Sequence, residues 1–315
     1  MPKSRLRKWI VRILIFLLSL VALFFLVVIP VFITHVMTHA HSRPGDAKIT
    51  TTPQDLGVAY RDITFLATSG PGDSLVTISG WYLPRENPKG IIIYAHGLFR
   101  SRNETLKRAV NLWHGGYAAV IFDFRRHGKS GDAKTGMGYL ERFDVLGAVA
   151  FARDSLQLHV PIVTYGVSMG AAATILANAE TDDVDAMIID SSFLSFDHTI
   201  DHHLKLWLGW PRFPIGTLVA ALAKFRIGFR ADDFDMRLAL DKMTPRPTMF
   251  IAGEKDNRMP PAVAKELYSH CRDPLKKFLL VPDAGHGHAY DVAPNLFVSE
   301  IIAFLDQALT EKNNK

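Results

Sequence analysis

Six short apolar runs lack the alternation of a half-buried strand: GIIIYA (90–95), YAAVIFD (117–123), VPIVTYG (160–166), VDAMIID (184–190), PTMFIAG (247–253) and KKFLLV (276–281). A strand is apolar on both sides only where both faces of its sheet are covered, the condition of parallel sheets flanked by helices. Helical patterning fills most of the intervals. Leu106, Val110 and Trp113 make one apolar face ended by Gly115-Gly116, with Ser101 and Glu104 spaced as a capping box at its start. Phe297, Ile301, Phe304 and Ala308 make another near the C-terminus. Ahead of these runs, VAYRDITFLAT and LVTISGWYLP alternate and are separated by SGPGDS, which reads as an antiparallel opening pair. The whole predicts an α/β fold over residues 58–315, a mostly parallel sheet with helices on both faces.

Residues 191–245 break the pattern. They are too long for a simple crossover and rich in Trp, Phe and Leu, so an inserted, mainly helical cap is expected above the strand ends, where open α/β sheets bind ligands. An ordinary pair of core helices is the alternative. Within the cap, Trp207, Trp210 and Phe213 are the candidate substrate-binding residues.

The N-terminal part belongs to no globular fold. Ile13 to Ile33 carries only Ser19 and Pro30 among apolar residues, enough for the ~20 that span a bilayer. A signal peptide would have a shorter apolar region and a small-residue cleavage site, for which Thr38-His39-Ala40 is a weak candidate. Residues 13–33 are therefore expected to be an uncleaved transmembrane anchor in the lipid bilayer. The basic residues 1–12 precede it, and a polar, solvated linker over 34–57 follows, with His35, His39 and His41 in it. Lys3, Arg5, Arg7, Lys8 and Arg12 have no acid among them, which puts the N-terminus in the cytoplasm and the body of the chain on the other side. These five charges also equal the whole formal charge of +5, so the folded part has no basic excess and a nucleic-acid partner is not expected. A single cysteine, Cys271, allows no internal disulfide.

Chemistry enters at Gly166-Val167-Ser168-Met169-Gly170, set between the strand PIVTY and a helix opening AAATILANA. G-x-S-x-G is a weak pattern alone, and strand before and helix after are the context that gives it meaning. A serine held on a sharp turn above a sheet needs neighbours without bulky side chains, which the glycines, Ala171 and Ala172 supply. A serine nucleophile also needs a base, and the base an orienting group, in the chain order Ser, Asp or Glu, His. Asp256 lies in EKDNRMP, just after a strand and before a helix; Asp190, ending AMIID, is the second candidate acid, and Glu254 and Asp283 read as solvated loop charges. After the last strand, VPDAGHGHAYD offers His286 and His288. The pair admits a metal site, but zinc wants further ligands and Asp291 alone is thin support. A base belongs early in this loop, near the strand that anchors it and between glycines that let the chain turn inward, which favours His286.

With these residues in order, the chain resembles the α/β-hydrolase superfamily of serine hydrolases from about Val58 to Leu309, through GWYLP, YAHG, DFRRHGKS, GVSMG, GEKDNRMP and AGHG. Within it the chain is most similar to the membrane-anchored branch near monoacylglycerol lipases and acyl-protein thioesterases. The resemblance implies that the amides of Leu98, after His96-Gly97, and of Met169 form an oxyanion hole. It matches AGH to a catalytic His286 and makes Arg125, Arg126 and His127 a structural turn. The expected activity is hydrolysis of a carboxylic ester or thioester of a lipid or acylated substrate through an acyl-enzyme on Ser168, with His286 as base and Asp256 as its orienter, and with no cofactor or metal. A peptidase or amidase on the same residues, and a catalytically silent tethered binding protein, are the rival expectations.

Overall fold

A computed structural model describes residues 3–68, 70 and 75–313; the expected turn SGPGDS lies almost wholly outside these. The eight strands are β1 (Arg61–Thr68), β2 (Leu75–Leu83), β3 (Ile91–Ala95), β4 (Ala118–Phe122), β5 (Ile162–Val167), β6 (Ala186–Asp190), β7 (Thr248–Gly253) and β8 (Lys276–Val281). They form one sheet in the order β1-β2-β4-β3-β5-β6-β7-β8. β1 pairs antiparallel with β2 and β2 antiparallel with β4; every later pairing is parallel.

The unalternating strands are explained by two separate cores. Ile91, Ile93, Val120, Phe122, Met187 and Ile189 face one, whereas their neighbours Ile92, Tyr94, Ala119, Ile121 and Ile188 face the other. The helices follow the same division. The N-terminal helix is α1 (Ser4–Thr38). Then come α2 (Asn103–His114), α3 (Arg142–Ala150), α4 (Met169–Asn178), α5 (Phe196–Leu208), α6 (Thr217–Ile227), α7 (Met236–Lys242), α8 (Pro261–His270) and α9 (Pro294–Asn313). α2 and α9 cover one face through Leu106, Leu112, Phe297 and Phe304, and α3, α4, α7 and α8 cover the other through Val145, Ile175, Leu240 and Leu267.

Between β6 and β7 stand α5, α6 and α7, the helical insertion expected there. α1 is a single apolar helix of 35 residues. At ~1.5 Å per residue it is about 50 Å long, against the ~30 Å of a bilayer core, so its last turns are free to pack on protein. They do: Phe25 meets Trp210 edge-on with ring centroids 5.8 Å apart, and Thr34 and Met37 are buried. Thr34 Oγ1 donates to Pro30 O at 2.8 Å and Thr38 Oγ1 to Thr34 O at 2.9 Å, so these hydroxyls need no water.

Two sequence expectations are corrected. The start of the 34–57 stretch is docked on the domain rather than solvated: the Ala40 amide donates to Thr135 Oγ1 and the Arg43 amide to Phe99 O, both at 2.9 Å. Glu104 does not close a capping box with Ser101; its carboxylate accepts from the Gly97 amide and from Arg100 Nε. DFRRHGKS is a buried brace. Arg125 pairs with Asp144 at 2.8 Å and Arg102 with Asp123 at 2.7 Å, all four side chains fully buried; removing one partner of such a pair costs ~3–5 kcal/mol.

The tightest approach of backbone to backbone lies where α4 passes β3. A Cβ on Gly170 would stand 2.2 Å from the Ala95 carbonyl oxygen, and one on Gly166 2.4 Å from the Gly170 oxygen. Gly170→Ala must push helix and strand apart, so the thermal midpoint is expected to fall by several degrees, from overpacking of ~1–3 kcal/mol or more. Gly45→Ala, with open space around it, should leave the midpoint unchanged. Equal midpoints in the two variants would contradict this packing.

Candidate active site

The sharp turn between β5 and α4 holds Ser168 at φ 55°, ψ −115°, a conformation a side-chain-bearing residue adopts only under constraint. The constraint is visible: the Ser168 amide donates to Asp190 O at 2.9 Å, its carbonyl accepts from the Ala172 amide at 3.1 Å, and the glycines on either side let the backbones close. Its hydroxyl therefore stands above the C-terminal edge of the sheet.

Two loops leave that same edge and meet it. β7 runs into the loop bearing Asp256, whose Oδ1 accepts from the amides of Arg258 and Met259 at 2.9 and 2.8 Å. β8 runs into the loop bearing His286. Its imidazole spans the gap, Nδ1 at 2.8 Å from Asp256 Oδ2 and Nε2 at 2.8 Å from Ser168 Oγ. A carboxylate only accepts, so Nδ1 carries the proton and Nε2 is the lone pair facing the serine hydroxyl. The loop is pinned from outside: Arg108 Nη2 donates to Gly287 O at 2.6 Å, and the Gly287 amide donates to Ser191 Oγ. Arg108 was not singled out in the sequence, where a helical arginine carries no signal of a loop so distant along the chain.

The other candidates fall elsewhere. His288 pairs with Asp291 at 2.8 Å on the exposed side of the loop. Asp190 lies beneath the serine, bonded to Tyr165 and Ser191, and burial raises its pKa. Among the described residues no group of three or more His, Cys, Asp and Glu is arranged to hold a metal ion.

The amides of Leu98 and Met169 face no competing acceptor among the described residues. Met169 opens α4, where an amide has no carbonyl one turn earlier to receive it. Leu98 follows His96, which ties the loop down. His96 Nε2 accepts from the Phe124 amide at 3.0 Å, so its Nδ1–H donates to Gly97 O at 2.7 Å. Burial, then the neighbouring His127, lowers the His96 pKa to about 3 and keeps it neutral.

Ser168 opens into a cavity of about 510 Å³. Its walls are Leu98 and Phe99 on one side, Ile200, Leu204, Trp207 and Leu208 from α5, and Phe32, Ile33, Val36 and Met37 from the end of α1. Of the cap residues singled out in the sequence only Trp207 lines it. Trp210 packs on Phe25 instead, and Phe213 lies mostly in the open, 77% exposed.

A family model described as "Serine aminopeptidase, S33" (Hydrolase_4) matches residues 86–227. A Bacillus subtilis (strain 168) protein described as uncharacterized, YqkD, is 28% identical over 73% of this chain and 75% of its own. Protein bem46 of Schizosaccharomyces pombe is 24% identical over 77% and 76%. The structure of the Pyrococcus furiosus esterase Pf2001 superposes with a TM-score of 0.67 at 24% identity, over 82% of this chain and 94% of that one. The chain has the α/β-hydrolase fold. Its elbow carries a serine, within the stretch that the family model matches.

A neutral buried His96 has a consequence in acid. Its folded pKa lies below the unfolded value of 6.5, so the unfolded chain takes up the proton first and stability declines as pH falls from about 6.5 towards 3. The slope is up to ~1.4 kcal/mol per pH unit for this group. In His96→Gln the decline of the thermal midpoint between pH 6.5 and 4 should be shallower than in the wild type, and an unchanged slope would contradict the assignment.

Proposed function

We propose that this α/β-hydrolase is a membrane-anchored serine hydrolase that cleaves carboxylic esters or thioesters of lipid or acylated substrates. The observation that carries the reading is the cavity at Ser168, walled by aliphatic and aromatic side chains, part of them from the one helix among the described residues long and apolar enough to cross a membrane. An acyl chain fits such a wall, and a bilayer beside it supplies one. The folded domain, residues 58–315 with its cap over 191–245, is proposed to lie on the extracytoplasmic side, the N-terminus being cytoplasmic by its five basic residues.

In the proposed mechanism Ser168 Oγ attacks the acyl carbon while His286 Nε2 takes its proton. Asp256 holds Nδ1–H and balances the imidazolium that forms. The amides of Leu98 and Met169 receive the oxyanion, each such donor being worth ~10²–10³ in rate. His286 then returns the proton to the leaving oxygen or sulfur, and water repeats the sequence on the acyl-enzyme. The aminopeptidase suggested by the family description is the less favoured reading. An N-terminal ammonium asks for a carboxylate in the pocket, and among the described residues no Asp or Glu lines it, whereas Arg43 and Arg258 do.

A fluorophosphonate probe should label the wild type and not Ser168→Ala. Ester hydrolysis should fall at least ~10³-fold in His286→Ala and stay within a few-fold in His288→Ala, both proteins being folded. An unlabelled, folded wild type would point to a binding protein, and collapse in His288→Ala alone would move the base.

A further inference from the structure

Two guanidinium groups line the cavity that contains Ser168, Arg43 exposed and Arg258 half-buried. Arg43 follows the end of α1, its amide held by Phe99 O beside the Leu98 loop. Arg258 comes from the loop after β7, two residues beyond Asp256. Neither side chain makes a hydrogen bond or ion pair among the described residues, in contrast to Arg100 nearby, which pairs with both Asp46 and Glu104. Arg258 is half-buried, and its Nε is fully buried without an acceptor. A buried N–H of a charged group left without a partner is costly, and such groups are kept where a ligand completes them. Burial lowers the Arg258 pKa; nearby Asp256 opposes this in part, and Arg43 adds to it. An anion between them relieves both effects.

We infer that Arg43 and Arg258 form a subsite for an oxyanion on the substrate, and that the substrate is an anionic single-chain amphiphile: an acyl ester or thioester whose leaving group carries a phosphate. The inference rests on the hydrolase reading above. The chain lies along Phe32, Ile33, Val36, Leu204 and Trp207, the carbonyl sits at Ser168, and the phosphate meets the arginines, which match its two charges and several acceptor oxygens better than a lone cation would. Ser168 Oγ bonds the acyl carbon as its bond to the leaving oxygen or sulfur breaks. The phosphorylated alcohol or thiol departs with the proton from His286, and water releases the fatty acid.

The test uses the full chain in neutral detergent with three substrates of one acyl chain: 1-acylglycerol, 1-acylglycerol 3-phosphate and acyl-coenzyme A. Wild type should prefer at least one phosphorylated substrate over 1-acylglycerol in kcat/KM. Arg43→Gln and Arg258→Gln should each lower that preference about tenfold or more, and Arg258→Lys should lower it less. Preference for the glycerol phosphate assigns the phosphate to a lipid headgroup, and preference for the coenzyme A ester to a soluble thioester; either supports the subsite. A wild type that the fluorophosphonate labels but that favours the neutral ester, or a preference unmoved in both Gln variants, overturns the subsite alone. Absence of labelling in folded wild type overturns the hydrolase reading and the subsite with it.

Discussion

Everything at this site hangs on how closely β5 and α4 approach at Ser168. The turn is possible because Gly166 and Gly170 have no Cβ: the Gly170 position leaves 2.2 Å to the Ala95 oxygen, room for no side chain. That approach fixes the elbow against β3, and β3 leads straight into His96, Gly97 and Leu98. One backbone contact thus sets the distance between the serine and the loop proposed to hold the oxyanion. Strain at a φ of 55° is maintained by the sheet on one side and a fully buried helix on the other.

Around that elbow, polar groups are fixed where they are dry. His96 is kept neutral, the Arg125–Asp144 and Arg102–Asp123 pairs are wholly enclosed, and Arg108 reaches from α2 to the loop of His286. Each rigidifies a loop that leaves the sheet edge, and preorganised dipoles are what acyl-transfer chemistry asks of a scaffold. Arg43 and Arg258 stand apart from this economy. They are charged, they line the cavity, and neither side chain has a hydrogen-bond or ion-pair partner among the described residues.

Much of this was readable in the chain because its physics is local. Strands covered on both faces write continuous apolar runs, and a serine between strand and helix, flanked by glycine, writes its own turn. Asp256 and His286 were readable because each follows directly on a parallel strand, so the sheet itself delivers them to one edge. What was not readable is set by distant contact. Residues 34–43 are polar and read as solvated, yet their backbone amides find Thr135 and Phe99 and their threonines bond their own helix. Glu104 has the spacing of a capping residue but is drawn away by the Gly97 amide. Trp207, Trp210 and Phe213 are alike in sequence, yet Trp207 lines the cavity with the end of α1, Trp210 packs on Phe25 of α1, and Phe213 is left in the open.

That placement puts the end of α1, the proposed anchor, in the wall of the cavity at Ser168, and the proposed function turns on it. The most direct measurement is a photo-crosslink with a long-chain fluorophosphonate bearing a diazirine at the tip of its alkyl chain. After attachment to Ser168 and irradiation in detergent, peptide mass spectrometry should find the second link on Phe32 to Met37 of α1 and on Trp207 or Leu208 facing it. Links found only on the loop of His288 and Asp291, on the other side of the imidazole, with none on α1, would contradict it.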